Sequence, residues 1–313
     1  MTDVKGNADR RPTIWLITGC TASGKTDLSI ACAEFAGAEI VSCDALLFYR
    51  GMDVGTAKPS LAERARVPHH LIDVLDPLER MDVKRYIELA SQTAAAITAR
   101  GRRVIVAGGS GFYLKSFLAP VADDVPVDRD LRAELEEAWR RDGLPSLVAR
   151  LHALNPRGLD ALDTRNPRRV LRALERCLVS GRPLLELAES FRAQVSPFSG
   201  YDVRLIEISR EPEELRRRIR ARTAAMVAGG LVEEVRALRA AGFERNPAVA
   251  TAVGYRETLA WLDAGGSEAE LVEVIVRSTN RLARKQRTWF RSQLPEHHVI
   301  EATAEVEGIM NAE

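Results

Sequence analysis

Thr13-Ile14-Trp15-Leu16-Ile17-Thr18-Gly19-Cys20-Thr21-Ala22-Ser23-Gly24-Lys25-Thr26 is the stretch that decides the fold. Its first six residues are mostly apolar and rich in β-branched side chains, the pattern of a short strand buried on both faces. Gly19 to Thr26 then spell G-x-x-x-x-G-K-[ST], with a helix predicted to start at Gly24. Strand, glycine-rich loop and helix in that order make a phosphate cradle. Backbone N–H groups wrap a diphosphate, the helix N-terminus adds partial positive charge, Lys25 adds a full one, and the Thr26 hydroxyl can ligate Mg²⁺. Gly19, Cys20, Thr21, Ala22, Ser23, Gly24, Lys25 and Thr26 are therefore expected to bind a diphosphate or a nucleotide. A chance glycine-rich turn would not have both flanking elements.

Outward from this segment, Glu39-Ile40-Val41-Ser42, Arg103-Val104-Ile105-Val106-Ala107 and Val203-Arg204-Leu205-Ile206-Glu207-Ile208 read as further strands, and residues 83–100 have helical periodicity. Strands alternating with helices predict an α/β fold, a P-loop NTPase-like parallel sheet covered by helices. From about 123 to 197 helical segments follow one another without a strand, which predicts an all-helical insertion domain between core segments 1–122 and 198–313. Inside it Asp128 can cap a helix to Arg141. Asn166-Pro167 supply an N-cap and N1 proline for a helix that runs to Ser180 and stops at Gly181. After the insertion, helices are predicted from Pro212 to Gly229-Gly230, from Leu231 to Ala241, and from Ser267 to about Leu294.

The 313 residues carry 45 Lys+Arg against 44 Asp+Glu, so no uniform basic charge announces a nucleic-acid partner. The distribution is uneven, however. Arg277, Arg281, Arg284, Lys285, Arg287 and Arg291 lie between Glu273 and Glu296 with no acid among them, and Arg165, Arg168, Arg169, Arg172 and Arg176 form a second cluster. Of the 45 cations 39 are Arg, whose planar multi-donor head suits phosphates. No run approaches the roughly 18 apolar residues that span a bilayer, and the polar start at residues 1–12 lacks an apolar signal core, so a cytoplasmic protein without membrane association is expected. Cys20, Cys32, Cys43 and Cys177 make no C-x-x-C pair, which suggests neither a disulfide framework nor a zinc site. His69-His70 and His297-His298 lack further ligands at metal spacing. Trp289 and Phe290 read as packing residues rather than base-stacking platforms.

A P-loop does not choose the reaction, because hydrolases, kinases and other transferases share it. Most NTPases place a second Mg²⁺-holding Asp at the end of an apolar strand. Here the strand to Ala107 ends in Gly108-Gly109-Ser110-Gly111-Phe112-Tyr113 without an acid. The carboxylate follows the second strand instead, in Val41-Ser42-Cys43-Asp44-Ala45. Asp44 at that sheet edge faces the ligand crevice, where a general base or substrate anchor belongs, although a turn-capping Asp would look the same.

Gly19 to Thr26, Ser42-Cys43-Asp44, the run Tyr49-Arg50-Gly51-Met52-Asp53-Val54-Gly55-Thr56-Ala57-Lys58-Pro59 and Pro68-His69-His70-Leu71-Ile72-Asp73 together resemble the tRNA dimethylallyltransferase family, in its bacterial form. Gly108 to Tyr113 is similar to that family's GGTGLY segment, and Val253-Gly254-Tyr255-Arg256-Glu257 to its GYRE segment. Arg281 with Lys285-Gln286-Arg287-Thr288-Trp289 is similar to its R-x-x-x-K-x-Q-x-T-W segment. The resemblance covers about residues 13 to 292. It implies transfer of a dimethylallyl group from dimethylallyl diphosphate to N6 of the adenosine 3′ of the anticodon, nucleotide 37, with Mg²⁺ as cofactor and a monomeric enzyme.

Carried over by position, Asp44 would take the N6 proton, Ser110 would hydrogen-bond the leaving group and Arg222 would clamp its phosphates. The tRNA anticodon stem-loop would meet Asp44, Ala45, Leu46, Leu47, Ser110, Arg132, Arg168, Arg169, Val170, Leu171, Arg172, Thr251, Ala252, Val253, Gly254, Tyr255, Arg256, Arg281, Lys285 and Arg287. Three positions depart from the family's pattern: Cys20 stands for Pro, Ala45 for Ser and Ser110 for Thr. The rival readings are a P-loop small-molecule or nucleotide kinase with a helical lid, a prenyltransferase acting on free adenine nucleotides, and a non-enzymatic nucleotide switch.

Overall fold

The computed structural model describes residues 11–311 apart from 122, 124, 127, 160 and 161. Residues 1–10 of the polar start at 1–12 and the expected boundary at 122 thus lie outside the described residues. Two compact units emerge, one of residues 1–119 with 197–313 and one of residues 120–196, against expected boundaries after 122 and 197.

The first unit is built on six parallel strands: β1 (Thr13–Gly19), β2 (Ala38–Ser42), β3 (His69–His70), β4 (Arg103–Ala107), β5 (Asp202–Ser209) and β6 (His298–Glu301), in the order β3-β2-β4-β1-β5-β6. β1 lies near the centre, pairing β4 on one side and β5 on the other. Its side chains alternate, so Ile14 and Leu16 enter one core layer while Trp15 and Ile17 enter the other. A strand buried on both faces is largely apolar on both, which is why the run reads as continuous rather than alternating. Helices Lys25–Ala36 and Val83–Ala99 pack on the sheet, and Pro212–Ala228 packs against Glu268–Gln293.

β3 and β6 have no signal in an apolar run. Each is a short edge strand, and His70 and His297 at these edges pair with Glu39 and Glu207 at 2.7 and 3.0 Å. All four cysteines are free and buried, and burial pushes the Cys32 thiol up to about 11.

The second unit packs helices Arg129–Leu154, Pro167–Ser180 and Leu184–Arg192 around Leu135, Leu147, Leu151, Val170 and Leu174. Asp128 caps the first of these through the amides of Asp130 and Leu131, and Asn166 caps the second through Arg168 and Arg169. The predicted end at Arg141 corresponds to a break at Gly143, beyond which helix resumes to Leu154.

Candidate functional site

The carboxyl ends of β1, β2 and β4 carry Gly19, Ser42 and Ala107, and the loops that follow them meet at one cleft of about 590 Å³. Thr21, Ala22 and Lys25 come from the first loop, Asp44, Ala45 and Leu46 from the second, and Gly109, Ser110 and Gly111 from the third. Opposite them stand Arg222, Thr251 to Gly254, Lys285, Gln286 and Trp289. Residues from widely separated segments of the chain thus line one space.

The P-loop is held from outside as well as by its own turn. Ala22 sits at a positive φ of 63°, a conformation that costs a non-glycine residue on the order of 1 kcal/mol or more and persists only when neighbours enforce it. Those neighbours are visible. Arg218 donates to the Ala22 carbonyl and Arg210 to the Ser23 carbonyl, both at 3.0 Å. Gln286 accepts from the Thr21 amide at 2.9 Å and donates to the Gly109 carbonyl at 3.2 Å, tying the loops after β1 and β4 together.

The loops after β2 and β4 are fastened in turn. Ser110 Oγ accepts the Ala45 amide at 2.9 Å, and Asp44 Oδ1 accepts the Leu46 amide at 3.1 Å. Gly108 makes this approach possible, since a Cβ there would lie 2.0 Å from the Cys43 carbonyl oxygen. Asp44 therefore does form a turn contact, but with one oxygen only, and it also lines the cleft.

Charge in the cleft is balanced around Lys25. Burial pushes its ammonium below the usual lysine range, Asp44 counteracts this and Arg222 adds to it. Burial likewise lowers the pKa of Arg222, opposed by Asp44 and reinforced by Arg218. Two desolvated cations beside one carboxylate leave an excess of positive charge, the electrostatics of a polyanion site. Next to it a cavity of about 50 Å³ is bordered by Lys25, Thr26, Ser29, Ser42, Asp44 and Arg222. Among the described residues the buried Oγ atoms of Ser29 and Ser42 have no hydrogen-bond partner. Hydroxyl and carboxylate oxygens beside a phosphate site suit Mg²⁺ and its waters. Among the described residues no group of three His, Cys, Asp or Glu side chains could hold a metal by itself.

Several of the expected RNA contacts are placed elsewhere. Val170 and Leu171 are buried in the helical unit's core, so their side chains are packing residues, as the i, i+1 position on an inward face requires. Tyr255 is fully buried with its hydroxyl donated to Glu234 at 2.7 Å, whereas Gly254 beside it is buried but still borders the cleft. Arg132 and Arg172 both bind Glu175, whose side chain is 1% exposed, at 2.5 and 2.9 Å. Arg172 further reaches Asp123 and the Val125 carbonyl. These two guanidinium groups are thus committed to neutralising a buried carboxylate.

Arg168 and Arg169 are exposed, with no ion pair among the described residues. The same is true of Arg277, Arg281, Arg284, Lys285, Arg287 and Arg291 on helix Glu268–Gln293. Leu47 borders the small cavity, Ala45 and Leu46 the cleft, and Arg256 pairs with Glu257. Phe290 is buried as expected of a packing residue, whereas Trp289 lines the cleft with Phe112, 63% exposed, 6.4 Å from it. Gln286, Glu234 and Arg218 had no role on sequence grounds. Gln286 alone had a signal, since it lies inside the K-x-Q-x-T-W segment.

The model of the IPP transferase family matches residues 47–293. A tRNA dimethylallyltransferase of Opitutus terrae is 52% identical over 292 residues, 93% of this chain and 94% of that protein. One from Geobacter sulfurreducens is 41% identical over 276 residues, 88% of each chain. Among solved structures, a tRNA isopentenylpyrophosphate transferase of Bacillus halodurans matches with a TM-score of 0.67 at 31% identity, covering 96% of this chain and 94% of that one. A eukaryotic dimethylallyltransferase acting on tRNA shares the fold, with a TM-score of 0.78 at 23% identity over 96% of this chain and 76% of that one.

Proposed function

This chain belongs to the IPP transferase family, and from that premise we propose that it is a tRNA dimethylallyltransferase, moving the dimethylallyl group of dimethylallyl diphosphate to N6 of adenosine 37, 3′ of the anticodon. The observation that carries the reading is the convergence of a P-loop, a strand-end Asp44 and the cations Lys25 and Arg222 on one cleft, while β4 is followed by glycines where a hydrolase would place its second acid.

The chemistry asked of these groups is a displacement at carbon. The allylic C–O bond breaks, its electrons leave with diphosphate, the C–N6 bond forms and the N6 proton passes to Asp44. Charge grows on diphosphate as the bond breaks. Lys25, Arg222 and the amides of the P-loop are fixed where that charge develops, which makes them the largest expected catalytic contribution. Asp44 keeps one carboxylate oxygen outside its turn contact for the proton. Ser110 spends an acceptor lone pair on the Ala45 amide and keeps its O–H for the leaving group. Mg²⁺ would be held by the Thr26 hydroxyl together with diphosphate oxygens, and it neutralises phosphate charge when bound.

The apolar side of the cleft, Ile219, Met226, Ile275, Leu282 and Phe290, suits a five-carbon chain rather than a sugar or a second nucleotide. An adenine must leave its stack to reach this depth, at about a few kcal/mol, and the unpaired cations of helix Glu268–Gln293 supply backbone contacts on the same unit. No helix among the described residues is long and apolar enough to cross a membrane. A tRNA substrate supports a cytoplasmic location for the enzyme.

Incubation with radiolabelled dimethylallyl diphosphate and unmodified tRNA should label the RNA, and labelled ATP with small-molecule acceptors should give no product. Phosphorylation of an acceptor without prenyl transfer would establish the kinase reading. Prenylation of AMP in preference to tRNA would establish the nucleotide prenyltransferase reading.

A further inference from the structure

We propose that Glu234 is a positioning residue for Arg222, acting through the backbone of residues 53–56, an inference that rests on Arg222 binding the diphosphate leaving group. Glu234 lies on helix Leu231–Ala240. Its carboxylate accepts the amides of Asp53 and Val54 at 2.7 Å, the amide of Gly55 at 3.0 Å and the Tyr255 hydroxyl at 2.7 Å. Four donors match the roughly four lone-pair sites of a carboxylate. Three successive amides aimed at one point form an anion nest, here filled by the protein's own charge.

The loop so captured presents its next carbonyl, that of Thr56, to Arg222 Nη2 at 3.0 Å. Its far end is fixed by Lys58, whose side chain is 4% exposed and which binds Asp53 and Asp73 at 2.5 Å and the Tyr49 carbonyl at 2.9 Å. Gly55 permits the fit, since a Cβ there would lie 2.7 Å from the Tyr255 ring. Arg222 and Glu234 come from successive helices, Pro212–Ala228 and Leu231–Ala240, joined by Gly229-Gly230. One helix thus supplies the guanidinium, and the next holds the acceptor that aims it. Arg222 borders both the main cleft and the small cavity beside Thr26, so displacing the Thr56 carbonyl moves a charge facing the diphosphate.

Glu234→Gln keeps the shape of the carboxylate but turns one acceptor into an NH₂ donor that faces backbone N–H groups. Leaving those donors unpaired should weaken inhibition by inorganic diphosphate roughly tenfold, with tRNA affinity within about twofold. Arg222→Lys should weaken it as well. The double variant should be little worse than the poorer single one, because both act on the same guanidinium. Where Glu234→Gln lowers the melting temperature too far for the assay, Tyr255→Phe removes one of the four donors. It should give about a twofold to threefold loss with the same non-additivity. Inhibition unchanged in the Glu234 or Tyr255 variants, or effects that multiply with that of Arg222→Lys, overturns the positioning role and leaves the reading of Arg222 standing. Inhibition unchanged in Arg222→Lys itself overturns both.

Discussion

Ser110 Oγ lies 2.9 Å from the amide of Ala45, a residue 65 positions earlier, so the start of helix Gly111–Leu118 holds the loop that bears Asp44. The hydroxyl caps no amide of its own helix. Ser110→Ala should therefore lower single-turnover transfer by at least about tenfold, by releasing the Asp44 loop and removing a donor to the leaving group. Ser110→Thr, which restores the hydroxyl, should stay within about threefold. An alanine variant with unimpaired single-turnover rate would place Ser110 outside the reaction.

Asp44→Asn preserves the contact to the Leu46 amide, because the amide oxygen still accepts, but the side chain can no longer take a proton from N6. Transfer should fall by roughly 10²-fold or more while tRNA affinity stays within a few-fold. Rapid-quench transfer and filter binding measure the two quantities separately.

The pH dependence of diphosphate binding should report Lys25. Its pKa is depressed from the ordinary 10.5, by burial first, in the ligand-free protein. Between the depressed value and 10.5 the unfolded chain binds more protons at this position than the folded one, so the group's penalty on stability fades as pH rises through that window. Diphosphate favours the charged form and pulls the pKa back up. Binding must then take up protons, and affinity must fall as pH rises through the depressed value. Calorimetry in buffers of different ionisation enthalpy should detect the uptake, and Lys25→Ala should abolish the part due to this residue.

The two arginine clusters should separate in salt titrations of tRNA binding. Replacing Arg284 and Arg287 by Ala should flatten the log–log slope by about one to two units, since each lost phosphate contact removes roughly one counterion. Arg168→Ala and Arg169→Ala should act in the same way. Arg132→Ala with Arg172→Ala should act differently, leaving Glu175 as an uncompensated buried charge at a cost of about 3–5 kcal/mol to the helical unit. Hydrogen exchange confined to residues 120–196 would reveal that loss.

The sequence was most legible where backbone geometry demands particular residues. The P-loop, the caps at Asp128 and Asn166, and the stop at Gly181 all follow from local rules and sit where those rules place them. β3 and β6 were not legible, because edge strands of two and four residues have too few positions to show a pattern. In the candidate site, Asp44 stood out as a strand-end acid. Glu234 did not, because one more acid among Glu233, Glu234 and their arginine neighbours looks like a solvated helix face until its partners 180 residues away are known. The arginines misled for a related reason. Arg172 in sequence is one of five cations, and only the fold reveals that Glu175 and Asp123 consume it.

Gln286 bridges Thr21 and Gly109 from 265 and 177 positions away, which sets an order in time on the ribosome. The phosphate loop leaves the exit tunnel early, yet the side chain that pins it is made 265 residues later. Until helix Glu268–Gln293 arrives, the emerging polypeptide carries the P-loop sequence without the hydrogen bond that its Thr21 amide gives to Gln286. A stalled nascent chain ending before residue 286 should therefore bind diphosphate poorly.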